Sequence, residues 1–392
     1  MRVLHLSDSF LPRMGGIEVQ VARLAARQVA AGNAVDVLTT TPAAPGARGC
    51  TTTVGDDGVR VHRVAARVPG GFPVHPRSTH HVLARLDALD AAGERPDAVH
   101  LHAGVLAPTV QRALRAIARR GLPAVVTVHS VWDAPTERAF ALLDRTVRWS
   151  ALPVLWSAVS ELTADPVRRI VTAAGGDPAG RVVVLGNGVD VGSWRGYDRV
   201  ERDDRAVAKG AVHVVSTARF ARRKRMLPLV GALVAAAREL PTESLVATLV
   251  GDGEQLAAAR TAVGAAGLAD VVRLPGRLAS DELHALYAEA DVFVAPAVKE
   301  AFGIAALEAR AAGLAIVTHA GSGVGERLED GVDGLVADGD AAITRAVVRL
   351  VEDPALLDRL VAHNRAHPPA SDWAHVLEAT AQAYRRAVQL VR

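Results

Sequence analysis

Two glutamates on either side of a glycine turn are the residues of this sequence best suited to chemistry. Glu300 follows a short apolar strand, a tight turn comes at Gly303, and a helix then carries Glu308. Along a helix their separation would be about 12 Å of rise, so both carboxylates cannot act on one atom. The spacing suits the two ends of an elongated, hydroxyl-rich ligand such as a nucleotide sugar, and helix N-terminal N–H groups bind phosphate or sugar oxygens. An acidic residue near a helix start can also serve only to complement the helix dipole.

Length and composition predict a two-domain α/β protein. The chain has 392 residues, of which 50% are hydrophobic and 4% aromatic, and its net charge is +3. One core rarely supports so long a chain, and a nucleic-acid-binding protein would show a stronger basic stripe. The one cysteine, Cys50, excludes a disulfide framework and a cysteine-based metal site.

The apolar segments are too short for insertion into a membrane. The first residues, Met1–Leu11, lack the long apolar run of a signal peptide. The longest uncharged apolar stretch, Trp149–Ser160, is shorter than a bilayer requires. We therefore expect a cytoplasmic protein, monomeric or homodimeric, whose membrane association is at most peripheral.

Near-continuous apolar strands that alternate with helices predict two doubly wound parallel sheets. A polar stretch without apolar period, Gly192–Gly210, separates the two series as a linker. The predicted strands of the first series are Val3–Ser7, Ala34–Thr40, Val59–Arg63, Ala98–His102, Ala124–His129, Val154–Ser160 and Arg181–Leu185. Those of the second are Val212–Thr217, Ser244–Val250, Val271–Pro275, Val292–Ala295, Ala315–Thr318 and Gly334–Val336.

Three familiar sites are rejected on spacing. Gly251-Asp-Gly253 follows a strand, but Leu256 replaces the third glycine of a dinucleotide fingerprint. No Gly-Lys-Ser/Thr occurs, which removes the P-loop. His100 and His102 share a strand, but no third ligand follows at a recognisable spacing, so we expect no zinc.

Cations, glycines and a histidine follow the predicted strands where a ligand would bind. Arg219 and Lys224 come after one strand and can hold a diphosphate, each charge-assisted bond contributing on the order of 1.5–3 kcal/mol. Gly15 and Gly16 at a helix start let backbone approach a ligand, or merely relieve a tight turn. His129 ends another strand, where a structural role is also common.

The segment Glu300-Ala-Phe-Gly-Ile-(x)3-Glu308-Ala resembles the E-x7-E signature of retaining glycosyltransferase family 4, whose members have the GT-B fold. Other segments match that family in order along nearly the whole chain. These are Gly15-Gly16-Ile17-Glu18, Thr127-Val-His129, Asn187-Gly-Val-Asp190, Arg219-(x)4-Lys224, Gly251-Asp-Gly253, Gly276-Arg277, Glu326-(x)3-Asp330-Gly331-(x)2-Gly334 and Asp372-Trp373.

The resemblance implies two Rossmann-like domains whose parallel sheets face a cleft. Residues 1–191, completed by a C-terminal helix over 373–392, would bind the acceptor. Residues 192–372 would bind the nucleotide-sugar donor. Ala218 and Leu314 depart from the family's usual glycine and proline, and both changes leave the donor site untouched.

The resemblance also implies roles for single residues. Glu308 would bind the ribose hydroxyls and Glu300 the donor sugar, helped by the backbone of Phe302, Gly303 and Ile304. Arg219 and Lys224 would neutralise the departing diphosphate, with no metal and no cofactor. His129 would contact the sugar from the opposite domain, and Gly15 and Gly16 would lie beside the diphosphate.

The implied activity is retaining transfer of a hexose-type sugar, most simply from a UDP-sugar, to a hydroxyl of a small sugar, cyclitol or secondary metabolite such as an aminoglycoside. Acceptor contacts are expected from Leu11–Gly16, Gly70–His81 and Ser130–Glu137. The alternatives are a transferase acting on glycolipids or envelope polysaccharides, a non-catalytic binder of nucleotide sugars, and a glycoside hydrolase. A hydrolase needs its carboxylates about 5–9.5 Å apart across one bond and has no use for the Arg219–Lys224 pair.

Overall fold

The computed structural model describes residues 1–66, 74–195 and 210–392, which form two compact units. The first contains Met1–Gly188 and Trp373–Arg392, and the second contains Val189–Asp372. The N-terminal segment of the first unit thus ends at Gly188, three residues before the predicted end of the first domain at residue 191. Most of the predicted linker Gly192–Gly210 lies outside the described residues, and its first residues belong to a short helix, Val191–Arg195.

The first unit contains an eight-stranded sheet in the order β3-β4-β2-β1-β5-β6-β7-β8. Its pairs are parallel except for β3 with β4. The sequence pattern missed β3 because all six of its residues are exposed and carry no apolar pattern. The strands are β1 (Arg2–Ser7), β2 (Ala34–Thr39), β3 (Gly49–Val54), β4 (Arg60–Ala65), β5 (Ala98–Ala103), β6 (Ala124–Val128), β7 (Leu155–Ala158) and β8 (Val182–Val184).

Helices connect these strands, and α1, α2, α3 and α5 each bury an apolar face. The first helix, for example, buries Val21, Leu24 and Ala25, and it ends just before Gly32, whose φ is 84°. The helices are α1 (Gly16–Ala30), α2 (Ser78–Ala91), α3 (Pro108–Arg119), α4 (Ala134–Val147), α5 (Glu161–Ala173) and α6 (Pro178–Arg181).

The second unit contains a six-stranded parallel sheet in the order β11-β10-β9-β12-β13-β14. Its strands are β9 (Val212–Thr217), β10 (Leu245–Val250), β11 (Val272–Gly276), β12 (Val292–Ala295), β13 (Ala315–His319) and β14 (Gly334–Ala337). Its helices are α7 (Val191–Arg195), α8 (Met226–Glu239), α9 (Leu256–Ala265), α10 (Ser280–Glu289), α11 (Ile304–Ala311), α12 (Asp340–Glu352) and α13 (Pro354–Ala366).

Each sheet reverses its strand order at one point. In the first sheet the chain leaves β1 in one direction and returns to β5 on the other side. In the second, β10 and β11 extend one side of β9, and β12 to β14 extend the other. Ligands of open α/β sheets bind outside the carboxyl ends of the strands at such reversals.

The C-terminal helix α14 (Trp373–Val391) returns to the first unit and covers one face of its sheet. Ala383, Tyr384 and Ala387 pack with residues of β1, β5, β6 and β7 in one buried cluster. The indole of Trp373 lies so close to Gly188 that a Cβ there would be 2.5 Å from the ring. A larger residue at 188 would therefore displace the start of this helix.

A buried asparagine fixes the helix that carries Glu308. The Asn364 amide donates to the carbonyl oxygens of Leu314 and Asp333, at 2.7 and 2.9 Å. Its oxygen accepts from Arg310 Nε, and the same guanidinium forms an ion pair with the Asp333 carboxylate at 3.0 Å. Asn364 thus joins α13 to α11 and to the segments before β13 and β14.

We predict that Asn364→Ala lowers the free energy of unfolding by about 2–4 kcal/mol, because two buried carbonyls and a guanidinium lose a partner. Urea unfolding followed by circular dichroism measures the loss. Asn33→Ala is the matched control, since the Asn33 amide donates to one carbonyl, that of Gln28, at the edge of the first unit. Equal losses for the two variants would contradict the assignment.

Candidate functional site

In the second unit, the loop after β12 and the start of α11 have a backbone that requires glycine. Gly303 precedes α11 with φ 82° and ψ 56°, a left-handed conformation. A Cβ at this residue would lie 2.1 Å from Cγ2 of Val324. Because α11 begins at Ile304, Glu300 lies in the loop and Glu308 in the second helical turn. The predicted loop at Glu300, turn at Gly303 and helix at Glu308 are therefore confirmed.

An ion pair joins the loops that follow β9 and β12, the two strands at the reversal. Lys224 Nζ donates to Glu300 Oε2 at 2.6 Å, and both side chains remain partly exposed. Lys224 ends a short 3₁₀ helix, Arg222–Lys224, and Arg219 is exposed two residues after the end of β9. The structure thus brings Lys224 and Glu300 together and places Arg219 on the same loop.

A second pair of glycines lets neighbouring loops pack without side chains between them. Gly251 and Gly253 follow β10 with φ of 141° and 150°. A Cβ at Gly251 would lie 1.9 Å from the carbonyl oxygen of Ala218, and one at Gly253 would lie 2.6 Å from that of Phe220. Gly251 and Gly253 therefore allow the loop that carries Arg219 to pack closely against the loop after β10. This packing explains the two glycines, which do not belong to a dinucleotide fingerprint.

A buried tyrosine, Tyr287, is hydrogen-bonded to the end of β9. The hydroxyl of Tyr287 donates to Oγ1 of Thr217, the last residue of β9, at 3.0 Å. Burial, and to a smaller degree the Glu308 carboxylate, raises the pKa of Tyr287. The Glu308 side chain is half-buried on α11.

An arginine that the sequence analysis overlooked supports the loop before α11. Arg327 donates to the carbonyl oxygens of Phe302 and Gly323, at 3.0 and 2.9 Å, and its guanidinium carbon lies 3.9 Å from the centre of the Phe302 ring. Burial lowers the pKa of Arg327 to about 10, so it remains charged at neutral pH. The sequence offered one indication of this role: Arg327 directly follows Glu326, the first residue of a segment that matches the family.

In the first unit, a buried aspartate holds the loop that leads to Gly15 and Gly16. The Asp8 carboxylate accepts from the N–H groups of Thr109 and Val110 at the start of α3, at 3.0 and 3.3 Å, and burial raises its pKa. Gly15 is the N-cap of α1. A Cβ at Gly16 would meet no atom within 4 Å.

His129 directly follows β6 and is bonded to a group of buried histidines. Its Nε2 lies 3.0 Å from Nδ1 of His102, whose Nε2 lies 2.9 Å from Nδ1 of His5. The ring of His100 stacks on that of His102, with centres 4.2 Å apart. Burial lowers the pKa values of His5 and His129 to about 4 and those of His100 and His102 well below the ordinary value.

The sequence showed no third histidine at zinc-site spacing from His100 and His102, but His5 on the neighbouring strand β1 lies beside them. Within the described ranges, His5, His100 and His102 bring one nitrogen each to within 4.8 Å of the others. His5 faces His100 in the register of β1 and β5. Spacing along the chain could not reveal this group, because parallel strands place residues far apart in sequence side by side.

Two predicted acceptor segments are described in full and one in part. Leu11–Gly16 leads into α1, and Ser130–Glu137 leads into α4, where Asp133 caps the helix by accepting from the Thr136 N–H. Of Gly70–His81, residues 70–73 lie outside the described residues. None of the helices in the described ranges has the length and apolar character needed to cross a bilayer.

Comparison with known proteins gives two family matches that together cover most of the chain. Glycosyltransferase Family 4 matches residues 14–193, and Glycosyl transferases group 1 matches residues 199–367. D-inositol 3-phosphate glycosyltransferase 1 of Catenulispora acidiphila is 30% identical over 96% of this chain and 91% of its own. Glycogen synthase of Mycobacterium tuberculosis is 29% identical over 98% and 94%.

Solved structures show the same fold. HepE of Anabaena, crystallised with UDP, has a TM-score of 0.74 at 19% identity and covers 98% of this chain and all of its own. Sucrose-phosphate synthase of Thermosynechococcus elongatus has a TM-score of 0.75 at 20% identity over 98% of each chain. The predicted fold class, GT-B with two α/β domains built on parallel sheets, is confirmed.

We predict that Gly303→Ala destabilises the second unit by about 1–3 kcal/mol through the left-handed φ, with a further loss from the contact with Val324. Urea unfolding of Gly303→Ala, Val324→Ala and the double variant separates the two causes. Val324→Ala should recover the steric part in the double variant and leave the backbone part. A Gly303→Ala protein as stable as the wild type would contradict the assignment.

Acid should destabilise the first unit through its neutral histidines. Folded His5 has a pKa of about 4 against an ordinary value of 6.5, so the unfolded chain binds more protons between these values. The free energy of unfolding therefore falls as the pH falls from 6.5 towards 4, by on the order of 3 kcal/mol for His5. Urea unfolding at pH 7 and 4.5 measures the loss.

His5→Gln is the control for this loss, because glutamine keeps a polar group in place of the ring and cannot be protonated in this range. The variant should lose less stability than the wild type between the two pH values. If both proteins lose the same amount, the carboxylates and not His5 are responsible.

Proposed function

Since this chain belongs to the glycosyltransferases of family 4, we propose that it transfers a hexose-type sugar, most simply from a UDP-sugar, to an acceptor hydroxyl with retention of configuration. The observation that carries the proposal is the Lys224–Glu300 ion pair, 2.6 Å long, where the strand order reverses between β9 and β12. This pair places Lys224, a cation that can bind a diphosphate, beside Glu300, a carboxylate that can bind sugar hydroxyls.

The donor would lie along the loops after β9 and β12. Glu308 binds the ribose hydroxyls, and Glu300 binds the sugar together with the first N–H groups of α11, which have no partner within the helix. Arg219 and Lys224 bind the diphosphate. HepE, which shares the fold, has been crystallised with UDP-glucose as well as with UDP, which supports a UDP-sugar as the first donor to test.

The reaction breaks the bond between the anomeric carbon and the diphosphate oxygen, and the electron pair stays on that oxygen. Arg219 and Lys224 stabilise the charge that develops there, as preorganised cations do most effectively in a transition state. The acceptor oxygen forms the new bond on the same face, and its proton passes to the departing phosphate oxygen. These two cations do the work of a divalent metal, so we propose a metal-independent reaction.

A cyclitol or other small hydroxylated molecule is the proposed acceptor. The name of the relative from Catenulispora acidiphila gives D-inositol 3-phosphate as the molecule on which that relative acts, which supports this class. The glycogen synthase relative makes a glucan the second class to test.

Calorimetric titration with UDP, GDP and ADP, each in the presence of EDTA, tests the donor site. Tight binding of one nucleotide without metal supports the proposal and identifies the base of the donor. Incubation of UDP-glucose alone, with D-inositol 3-phosphate, or with glycogen then separates the activities: a hydrolase releases glucose, a transferase forms a glycoside, and a binder does neither. Binding of none of the three nucleotides would point to dTDP or another donor nucleotide, or to a protein without transferase activity.

We predict that Lys224→Ala lowers the turnover number by about two to three orders of magnitude, because the leaving diphosphate loses its ammonium partner. Release of UDP from UDP-glucose in the presence of acceptor measures the rate. Arg223→Ala is the matched control from the same 3₁₀ helix, since Arg223 is exposed and carries no proposed role. Full activity of Lys224→Ala would show the leaving-group assignment to be wrong.

A further inference from the structure

The buried histidines of the first unit form one continuous chain of hydrogen bonds that ends at His129. From His129 the chain passes to His102 and then to His5 at 3.0 and 2.9 Å. The remaining nitrogen of His5, Nε2, lies 2.7 Å from the amide oxygen of Gln28 on α1. His5, His102 and Gln28 are almost completely buried, so water does not compete for these bonds.

The chain continues beyond Gln28 with the same direction of donation. The Gln28 amide nitrogen donates to the hydroxyl of Tyr384 at 3.0 Å, and this hydroxyl lies 2.9 Å from Nδ1 of His100. His100 Nε2 lies 2.7 Å from the hydroxyl of Thr127. Tyr384 can donate to His100 because the Gln28 amide already occupies its acceptor position.

The far end of the chain is a backbone carbonyl. The hydroxyl of Thr127 lies 2.5 Å from that of Ser157, which donates to the carbonyl oxygen of Val126 at 3.3 Å. A carbonyl can only accept. Every group of the chain then donates towards this end: Ser157 to the carbonyl, Thr127 to Ser157, His100 to Thr127, and Tyr384 to His100.

The orientation of Gln28 fixes the protons on the other branch. Since its amide oxygen faces His5, Nε2 of His5 must carry the proton, and Nδ1 of His5 must accept from Nε2 of His102. Nδ1 of His102 in turn accepts from Nε2 of His129. A neutral His129 with its proton on Nε2 has an unprotonated Nδ1, which can only accept.

We propose that Gln28, His5 and His102 are positioning residues that hold His129 in its Nε2–H form, so that Nδ1 of His129 accepts a hydrogen bond from a ligand hydroxyl. The naming of that ligand as a sugar rests on the proposed function. The lowered pKa of His129, about 4, agrees with a neutral ring at pH 7. His129 recognises a hydroxyl through its lone pair and offers no charge to the diphosphate.

A metal at His5, His100 and His102 is the competing use of these residues. Each ring nitrogen of the three is already within hydrogen-bond distance of a side-chain partner. A bound ion would have to break at least two of these bonds, since His5 and His102 share one, and the series of bonds from Gln28 to His129 would be interrupted.

Two-bond ¹H–¹⁵N correlation spectra of the protein with ¹⁵N-labelled histidine read the tautomer directly. The His129→Asn spectrum assigns the His129 signals by their absence. We expect the Nε2–H tautomer for His5, His102 and His129 at pH 7, unchanged by one equivalent of Zn²⁺. An Nδ1–H or doubly protonated His129, or Zn²⁺-dependent shifts of His5, His100 and His102, would overturn the proposal.

Gln28→Met tests whether the glutamine sets the direction. A thioether accepts an N–H only weakly, so His5 should move its proton to Nδ1, and the Nδ1–H form of His129 should appear. Gln20→Met is the matched control, a buried glutamine on the same helix outside the chain of bonds, and its spectrum should match the wild type. A wild-type tautomer of His129 in Gln28→Met would overturn the role of Gln28.

The contribution of Gln28 to sugar binding is measured by comparing the affinities of the wild type and Gln28→Met for UDP and for UDP-glucose. Gln28→Met should bind UDP as the wild type does and lose about fivefold to tenfold of its affinity for UDP-glucose, the effect of one neutral hydrogen bond. Equal affinities of wild type and variant for UDP-glucose would overturn the link to the sugar. Failure of the wild type to bind either probe would refute the proposed function, while the tautomer would still be read from the spectra.

Discussion

The reversal of strand order between β9 and β12 is the constraint on which the candidate donor site depends. Parallel strands direct their carboxyl ends to one edge of a sheet, and only at a reversal do the two following loops turn away from each other and leave room between them. The Lys224–Glu300 pair spans this point at 2.6 Å. Glycines at 251, 253 and 303 remove the side chains that would hold the loops apart. The order of the strands therefore determines where the loops of the site lie, and the residues of each loop then complete its geometry.

Apolar runs in the sequence were enough to predict every strand whose side chains are buried. Val212–Thr217 and Val292–Ala295 have the bounds that the pattern predicted, and the other predicted strands differ at their ends by at most two residues. The exposed strand β3 could not be predicted this way, since its pairing with β4 rests on backbone hydrogen bonds and not on burial. The alternation of strands and helices along the sequence was enough to predict a doubly wound fold, but the order of the strands in each sheet could not be predicted from it.

For the candidate site, the sequence pattern identified residues but not their partners. Lys224 and Glu300 were selected separately, and their contact depends on which strands are neighbours in the sheet. The histidine chain was invisible for the same reason: His5, Gln28, His102 and Tyr384 lie on four elements, and one of these is the C-terminal helix. Spacing rules for metal sites consider residues that are close in sequence, whereas the residues of this group are far apart in sequence and meet only in the folded protein.

The ion pair also bears on how a carboxylate can lie beside a diphosphate. An isolated Glu300 would repel the phosphate oxygens, and at 4 Å two like charges in a medium of dielectric constant 20 interact by about 4 kcal/mol. With Lys224 bonded to Glu300, the pair is neutral as a unit, and Arg219 leaves the local charge positive. In the proposed reaction an arriving diphosphate shares the ammonium, and Glu300 is then available to accept from sugar hydroxyls. Binding of the sugar and of the diphosphate would therefore favour each other, because each releases the other's partner from the same bond.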